Sequence, residues 1–368
     1  MSKEKGNRLY HYLDRYIGIP IVFLLGIFKR KNILPTRIDR IAIVSIVSIG
    51  DNVLMSASIS DIRKTFPNVE ITVFTGSTNY ELVKLIDGID KIVKLELSSL
   101  LRSHKLIKQV GQVDVLLDFG SWTRLSSIFS WIVKAEYKIG FYSDHQHRHY
   151  IYDQSVNHSK NKHELDNYRD LTHSIVRETV SKPQINIVSS EKVEKMISRK
   201  NCVVHAWPGG YKSYMKEWDN HNWVDLIENI HNDFDLIFLT GAPGDSKKSN
   251  ELYHLINKRN IKNVKNIAGE LKLSETVFLI SKSQMVFSVN TGIAHVAAAL
   301  DIPQICLHGP TNVNRWKPYS EKSIPVTPNK GNFGYLHFGN EYHLAKENCM
   351  DNITVESVVN EYNKISRE

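Results

Sequence analysis

The stretch IAIVSIVSIGDNVLMSASISDIRKTFP, Ile41 to Pro67, decides the fold. Its first seven residues are an apolar run of strand length. Gly50-Asp51 reads as a tight turn, and the rest as a helix burying Met55, Ile59, Ile62 and Phe66, spaced four, three and four apart. Strand, turn, helix opens a βαβ unit and a parallel sheet. The turn itself raises a question. A helix start in this position often receives phosphate through a glycine-rich loop, yet this one offers the carboxylate of Asp51.

Working outward, the alternation repeats. Strands are expected at 41–47, 70–74, 91–95, 113–118 and 137–141, with helices between them, as over 79–86 and 121–134. Parallel strands need crossover connections, so this is an α/β, doubly wound domain. The pattern lapses in the polar, aromatic stretch YSDHQHRHYIYDQSVNHSKNK, 142–162. A helix resumes over 164–180, and Lys182-Pro183 reads as a linker. A second series follows, with strands at 202–206, 235–240, 264–268, 285–289 and 304–308. Its helices lie at 223–231, 246–257, 274–281 and 291–300, and a last one at 354–365. The implied organisation is an arm (1–37), two Rossmann-like domains (38–183 and 184–350) and a C-terminal helix (351–368). Two such halves usually take a ligand in a cleft at the carboxyl ends of their strands.

Composition narrows the class. The 368 residues are 42% hydrophobic and 23% charged, enough for two ordinary domains. Cys202, Cys306 and Cys349 are scattered, without the CxxC spacing of a zinc ribbon or the density of a disulfide framework, which fits a reduced, cytoplasmic protein. The net charge of +8 is uneven: residues 1–40 hold nine Lys/Arg against three acids, a net +6. That arm contains IGIPIVFLLGIF, Ile17 to Phe28, followed by Lys-Arg-Lys. It is short of the about 20 apolar residues of a spanning helix, Pro20 interrupts it, and no signal-peptide cleavage pattern follows. Two readings remain: an interfacial anchor on the anionic inner face of the cytoplasmic membrane, which the aromatics of the arm favour, or a helix packed on the protein's own core. No nucleic-acid module is recognisable, and none is expected as a partner.

Three loops carry candidate chemistry. In Met285–Tyr319 an apolar strand runs into Asn290-Thr291-Gly292 and a small-residue helix begins at once. Its N-terminal amides suit an anion, although most such triplets are plain helix caps. The next strand ends in His308-Gly309-Pro310-Thr311, and the two turns side by side would cradle a pyrophosphate. In Val203–Ile227 a Pro-Gly-Gly loop precedes Lys212 and Lys216, either of which would reach phosphate oxygens or simply lie in solvent. In Phe238–Ser246, Gly241 leaves room for a ligand, and Asp245 would accept from ribose hydroxyls or cap the following helix.

SVNTGIAHVAAALDIPQICLHGPT (288–311), SIGDNVLMSASI (48–59) and, more loosely, HAWPGG…KEW (205–218) resemble the motifs of the heptosyltransferase family of bacterial cell-surface synthesis. The likeness covers roughly residues 38–350. It implies the GT-B fold of two facing Rossmann-like domains, acceptor-side first and nucleotide-sugar-binding second. It implies inverting transfer of a heptose from ADP-heptose to a lipid-linked or oligosaccharide acceptor of the lipopolysaccharide core or another surface glycan, without a metal or other cofactor. Asp51 then becomes the general base, since a sugar hydroxyl is a poor nucleophile without one; as a helix cap it would fit the sequence almost as well. Lys216, Gly241, Asp245, Thr291, Gly292, His295, Gly309, Pro310 and Thr311 are the expected donor contacts, His295 reading equally as a buried structural histidine. Ser48, Gly50, Asn52 and Arg148 are the expected acceptor contacts. Asn290 departs from the family, which has Asp there. Asparagine loses the charge and gains two donors, so a different nucleotide sugar becomes an alternative donor, and a non-catalytic glycan-binding scaffold is the alternative outside enzymes. The histidines of HQHRH (His145, His147, His149) would share one face if that segment were a strand, inviting a metal reading; a loop receiving an anionic acceptor is preferred.

Overall fold

The computed structural model describes residues 14, 16–29, 32–120, 124–210, 212–338, 341–345 and 347–366. The chain divides between Gln184 and Ile185 into two compact units.

The first unit is built on a six-stranded sheet of β1 (Arg40–Ser45), β2 (Glu70–Gly76), β3 (Lys91–Leu95), β4 (Val113–Asp118), β5 (Ala135–Tyr142) and β6 (Gln154–Asn157). The order is β3-β2-β1-β4-β5-β6, and every pairing is parallel. Parallel strands carry helices on both faces and are therefore apolar throughout. In β1, Ile41, Ala42, Ile43 and Val44 are all buried, with Ile41 opposite Ile71 on one side and Val115 on the other. The helices of two turns or more are α1 (Gly18–Ile27), α2 (Ile49–Thr65), α3 (Leu100–Val110), α4 (Arg124–Ile132) and α5 (Glu164–Thr172).

The second unit repeats the plan with β7 (Asn201–His205), β8 (Leu236–Leu239), β9 (Val264–Asn266), β10 (Met285–Val289), β11 (Gln304–Leu307) and β12 (Ser323–Val326), ordered β12-β11-β10-β7-β8-β9 and again parallel. Its main helices are α6 (Asn220–Ile230), α7 (Ser246–Lys258), α8 (Leu273–Ser281), α9 (Gly292–Ala299) and α10 (Val355–Ile365). Trp218 and Trp223 meet edge to face in its core, centroids 5.0 Å apart. Each sheet has one switch point, where the winding reverses: between β1 and β4 in the first, between β7 and β10 in the second. Ligands of doubly wound sheets bind outside the carboxyl ends of the strands at such a point.

The structure corrects several local expectations. Gly50-Asp51 is no turn before a helix; α2 already starts at Ile49, with Ser48 as its N-cap. The helix expected over 79–86 is a single turn, Tyr80–Val83. The one expected over 164–180 stops at Thr172, a turn follows over 173–175, and the Ser181 amide is held by Asp61 at 2.9 Å. Residues 121–123 lie outside the described residues, as do residues 1–13, 15, 30 and 31 of the basic arm. Pro20 does not break α1, because it sits in the first turn, where backbone amides lack partners anyway. Val22 of α1 packs with Ile151 and Tyr152 on the unit's own core. The HQHRH segment is not a strand: His145 and His147 are both left-handed (φ 61°), and a 3-10 turn follows at Arg148–Ile151. The shared face needed by the metal reading is therefore lost. The edge strands β6 and β12 were not expected.

Candidate active site

At the first switch point β1 hands over to α2. Ser48 and Asp51 form a reciprocal capping box. The Ser48 amide donates to Asp51 Oδ2 at 3.0 Å and the Ser48 hydroxyl donates to the same oxygen at 2.5 Å. From α5, the Tyr168 hydroxyl donates to Asp51 Oδ1 at 3.3 Å. Tyr168 is itself fixed edge to face on Phe119, centroids 5.0 Å apart, and beside Phe141. Asp51 is half-buried, so its carboxylate is anchored through both oxygens and still meets solvent. The helix N-terminus favours its negative charge. A fixed, charged carboxylate at the carboxyl end of the sheet suits a general base.

The other acceptor-side expectations fare differently. Ser48 is exposed beside Asp51, and Gly50 is buried in the first turn of α2. Asn52 is fully buried: it accepts from the Ser45 hydroxyl at 2.9 Å and donates to the Ser48 carbonyl at 2.8 Å. It holds the strand-to-helix corner and is not available to an acceptor. Arg148 is also inside, 1% exposed. It pairs with Asp118 at the end of β4 at 2.7 Å, and Asp118 further accepts from Tyr152 (2.6 Å) and Ser130 (2.5 Å). Burial pushes the Tyr152 hydroxyl well up, so it stays a donor. Arg148 thus serves a buried polar cluster that ties the 148–152 turn to the sheet, rather than a surface that meets an acceptor. A charge inside needs such partners.

In the second unit, α9 begins one residue after Thr291, whose hydroxyl accepts from the Ile293 amide at 3.2 Å. Asn290 Nδ2 donates to the Trp316 carbonyl at 2.9 Å. An aspartate there would set a carboxylate against that carbonyl, so the asparagine is matched to this chain's own loop. On the neighbouring strand, Gly309-Pro310-Thr311 forms a strap fastened to 334–336: the Gly334 amide donates to Gly309 O (2.9 Å) and the Leu336 amide to Pro310 O (2.8 Å). Thr311 reaches back to His308 Nδ1 at 3.2 Å. Lys216 folds over its own loop, Nζ 3.4 Å from Gly209 O, and Lys212 lies 5.7 Å from the centre of the Tyr342 ring. Met215 packs with Tyr335, Leu336 and Tyr342. Residues 334–336 and Tyr342 therefore join the lysine loop to the 309–311 strap. Sequence reasoning missed them, since a polar-aromatic segment without periodicity gives no signal.

Three donor-side positions are packed or bonded within the protein. The space at Gly241 is taken by protein: a Cβ would come 3.0 Å from Trp207 and 3.1 Å from Asp245. Gly309 is likewise filled from behind, a Cβ falling 2.2 Å from Met350 Sδ. Asp245 caps, accepting from the Ala242 amide at 2.8 Å, and burial raises its pKa. His295 lies buried, one turn into α9. What remains together at the carboxyl edge of β7, β10 and β11 is the Lys212–Lys216 loop, Thr291-Gly292 and Pro310-Thr311.

Two doubly wound α/β domains with this strand order are the architecture of the GT-B fold. Residues 103–341 match the sequence pattern of glycosyltransferase family 9 (heptosyltransferase), and the chain belongs to that family. Asp51 lies before the matched span. Lipopolysaccharide heptosyltransferase 2 of Salmonella typhimurium is 28% identical over 145 residues, 38% of this chain and 42% of that protein. The chain thus spans about two-fifths of the length of the first curated relatives it matches. The lipopolysaccharide core heptosyltransferase OpsX of Haemophilus influenzae is 25% identical over 88% of this chain and 96% of its own. Among solved structures, ADP-heptose lps heptosyltransferase II of Escherichia coli superposes with a TM-score of 0.70 at 18% identity, covering 89% of this chain and 98% of that one. A family 9 glycosyltransferase of Veillonella parvula gives 0.77 at 14%, covering 91% and 99%.

Proposed function

We propose that this chain is an inverting glycosyltransferase that moves a heptose from ADP-heptose to a hydroxyl of a lipopolysaccharide-core or other surface-glycan precursor, working without a metal on the cytoplasmic side of the membrane. The observation that carries the reading is the family match, because residues 103–341 include every donor-side loop described above. The names of the relatives, lipopolysaccharide heptosyltransferases, supply the sugar and the acceptor class. Asp51 takes the proton of the acceptor hydroxyl as its oxygen attacks the anomeric carbon. The bond from that carbon to the diphosphate breaks on the opposite face, and the nucleoside diphosphate departs. Lys216, the Thr291-Gly292 helix start and the Pro310-Thr311 strap meet the charge it carries away. No protein nucleophile is needed for inversion.

A second reading keeps the reaction and changes the donor. It is favoured by Asn290, whose amide is committed to the Trp316 carbonyl where the family motif has an acid. A melting-temperature series separates the two, since a ligand that prefers the folded state raises the transition. The proposal expects ADP and ADP-heptose to stabilise the protein by several degrees, with UDP and GDP inert. Stabilisation by another nucleotide alone would transfer the proposal to that donor.

A further inference from the structure

Helix α1 has two apolar sides, and only one is used. Its inner column is Asp14, Gly18, Val22 and Lys29. Asp14 pairs with Arg124 at 3.0 Å, Gly18 lies against the Arg124 side chain, and Val22 is fully buried. Gly26 lets the helix press onto Tyr150, and Lys29 pairs with Asp153 at 3.5 Å. The helix is thus held to α4 and the 148–153 segment over its whole length. The outer column is Tyr16, Ile17, Pro20, Phe23, Leu24, Ile27 and Phe28. Steps of one, three and four residues place these on a single stripe. Phe23, Leu24, Ile27 and Phe28 are 50, 54, 60 and 77% exposed. Ile33, a few residues on, is 91% exposed. The water-facing stripe of a surface helix is ordinarily polar; apart from the Tyr16 hydroxyl, this one has no hydrogen-bonding side chain.

We infer that α1 is a docking element that lies in the plane of an anionic lipid bilayer and holds the first unit to it. Two observations choose that occupant. Among the described residues, no helix is long and apolar enough to cross a membrane, and a ten-residue helix with one apolar side packed on the protein and the other exposed fits the interface instead. The stripe sits in the basic part of the chain, nine Lys/Arg against three acids in residues 1–40, with Arg30 and Lys31 shortly after Phe28. Juxtamembrane basic residues add attraction to anionic headgroups. The inference deepens the acceptor half of the proposed function and rests on it for the choice of a membrane as partner. A transferase held there meets a lipid-linked acceptor without waiting for it in solution.

The test is flotation of the full chain with vesicles of phosphatidylcholine alone or with a quarter phosphatidylglycerol, at low and high salt. The comparison is the variant Phe23→Ser/Leu24→Ser/Ile27→Ser, whose changes fall on exposed positions. The wild type should float with the anionic vesicles. Binding should drop about tenfold on neutral vesicles or in high salt, and at least about tenfold in the variant. The variant should keep the wild-type melting temperature and its response to ADP. Failure of the wild type to float, equal flotation of the variant, or a wild-type dimer that the variant dissociates in the absence of vesicles would each overturn the inference. If flotation behaves as stated while ADP gives no thermal response, the docking stands and the donor assignment falls.

Discussion

Asp51 is held from two directions, and that arrangement makes a prediction at the scale of one hydroxyl. Tyr168 keeps its packing against Phe119 and Phe141 when changed to Phe, but Asp51 Oδ1 loses its donor. A hydrogen bond to a charged group contributes about 1.5 kcal/mol or more, so Tyr168→Phe should lower kcat about tenfold with the KM for the donor unchanged. A raised KM at constant kcat would assign Tyr168 a merely structural role. Of these contacts only one was legible in advance. Ser48-x-x-Asp51 is the spacing of a capping box, and it marks the helix start three residues earlier than the turn reading did. Tyr168 is 117 residues away and left no local mark. Arg148 read as a surface cation because its neighbours are polar; only the fold shows that Asp118 waits for it on β4.

At the scale of elements, hydrophobic runs located ten of the twelve described strands. Eight of these lie inside the sheets, where packing on both faces demands a continuous apolar sequence, and two, β3 and β9, are edges. The two that escaped, β6 and β12, are edges: Gln154–Asn157 alternates with solvent, and β12 contains Pro325, which only an edge tolerates. The strand ends also carry a pH response. His205, the last residue of β7, is pushed down to about 4 by burial, and His308, after β11, to about 3 for the same reason. Both stay neutral in the fold and protonate near their ordinary value of 6.5 when unfolded. Between that value and their folded ones the unfolded chain binds more protons, so stability is complete above pH 6.5 and falls as the pH drops toward 4 and then 3. At pH 5 each histidine should cost about 2 kcal/mol. The melting temperature should therefore fall clearly between pH 7 and pH 5, and His205→Asn/His308→Asn should flatten that slope. A wild-type profile flat over the interval would contradict the burial of both rings.

On the scale of the whole molecule, two units of the same winding each place chemistry at one switch point. The first offers a carboxylate at a helix start; the second offers a helix start, a lysine loop and a strap suited to a diphosphate. That division was readable from the alternation of strands and helices and from two motifs, whereas the apolar outer stripe of α1 needed the packing of its inner side to be seen. The measurement that tests the central claim most directly is acceptor-dependent release of ADP from ADP-heptose by the wild type and by Asp51→Asn, with melting temperature read alongside. The account predicts a rate reduced by about 10²–10⁴ in the variant, while ADP still stabilises it as it does the wild type. An Asp51→Asn protein that turns over at the wild-type rate would contradict it.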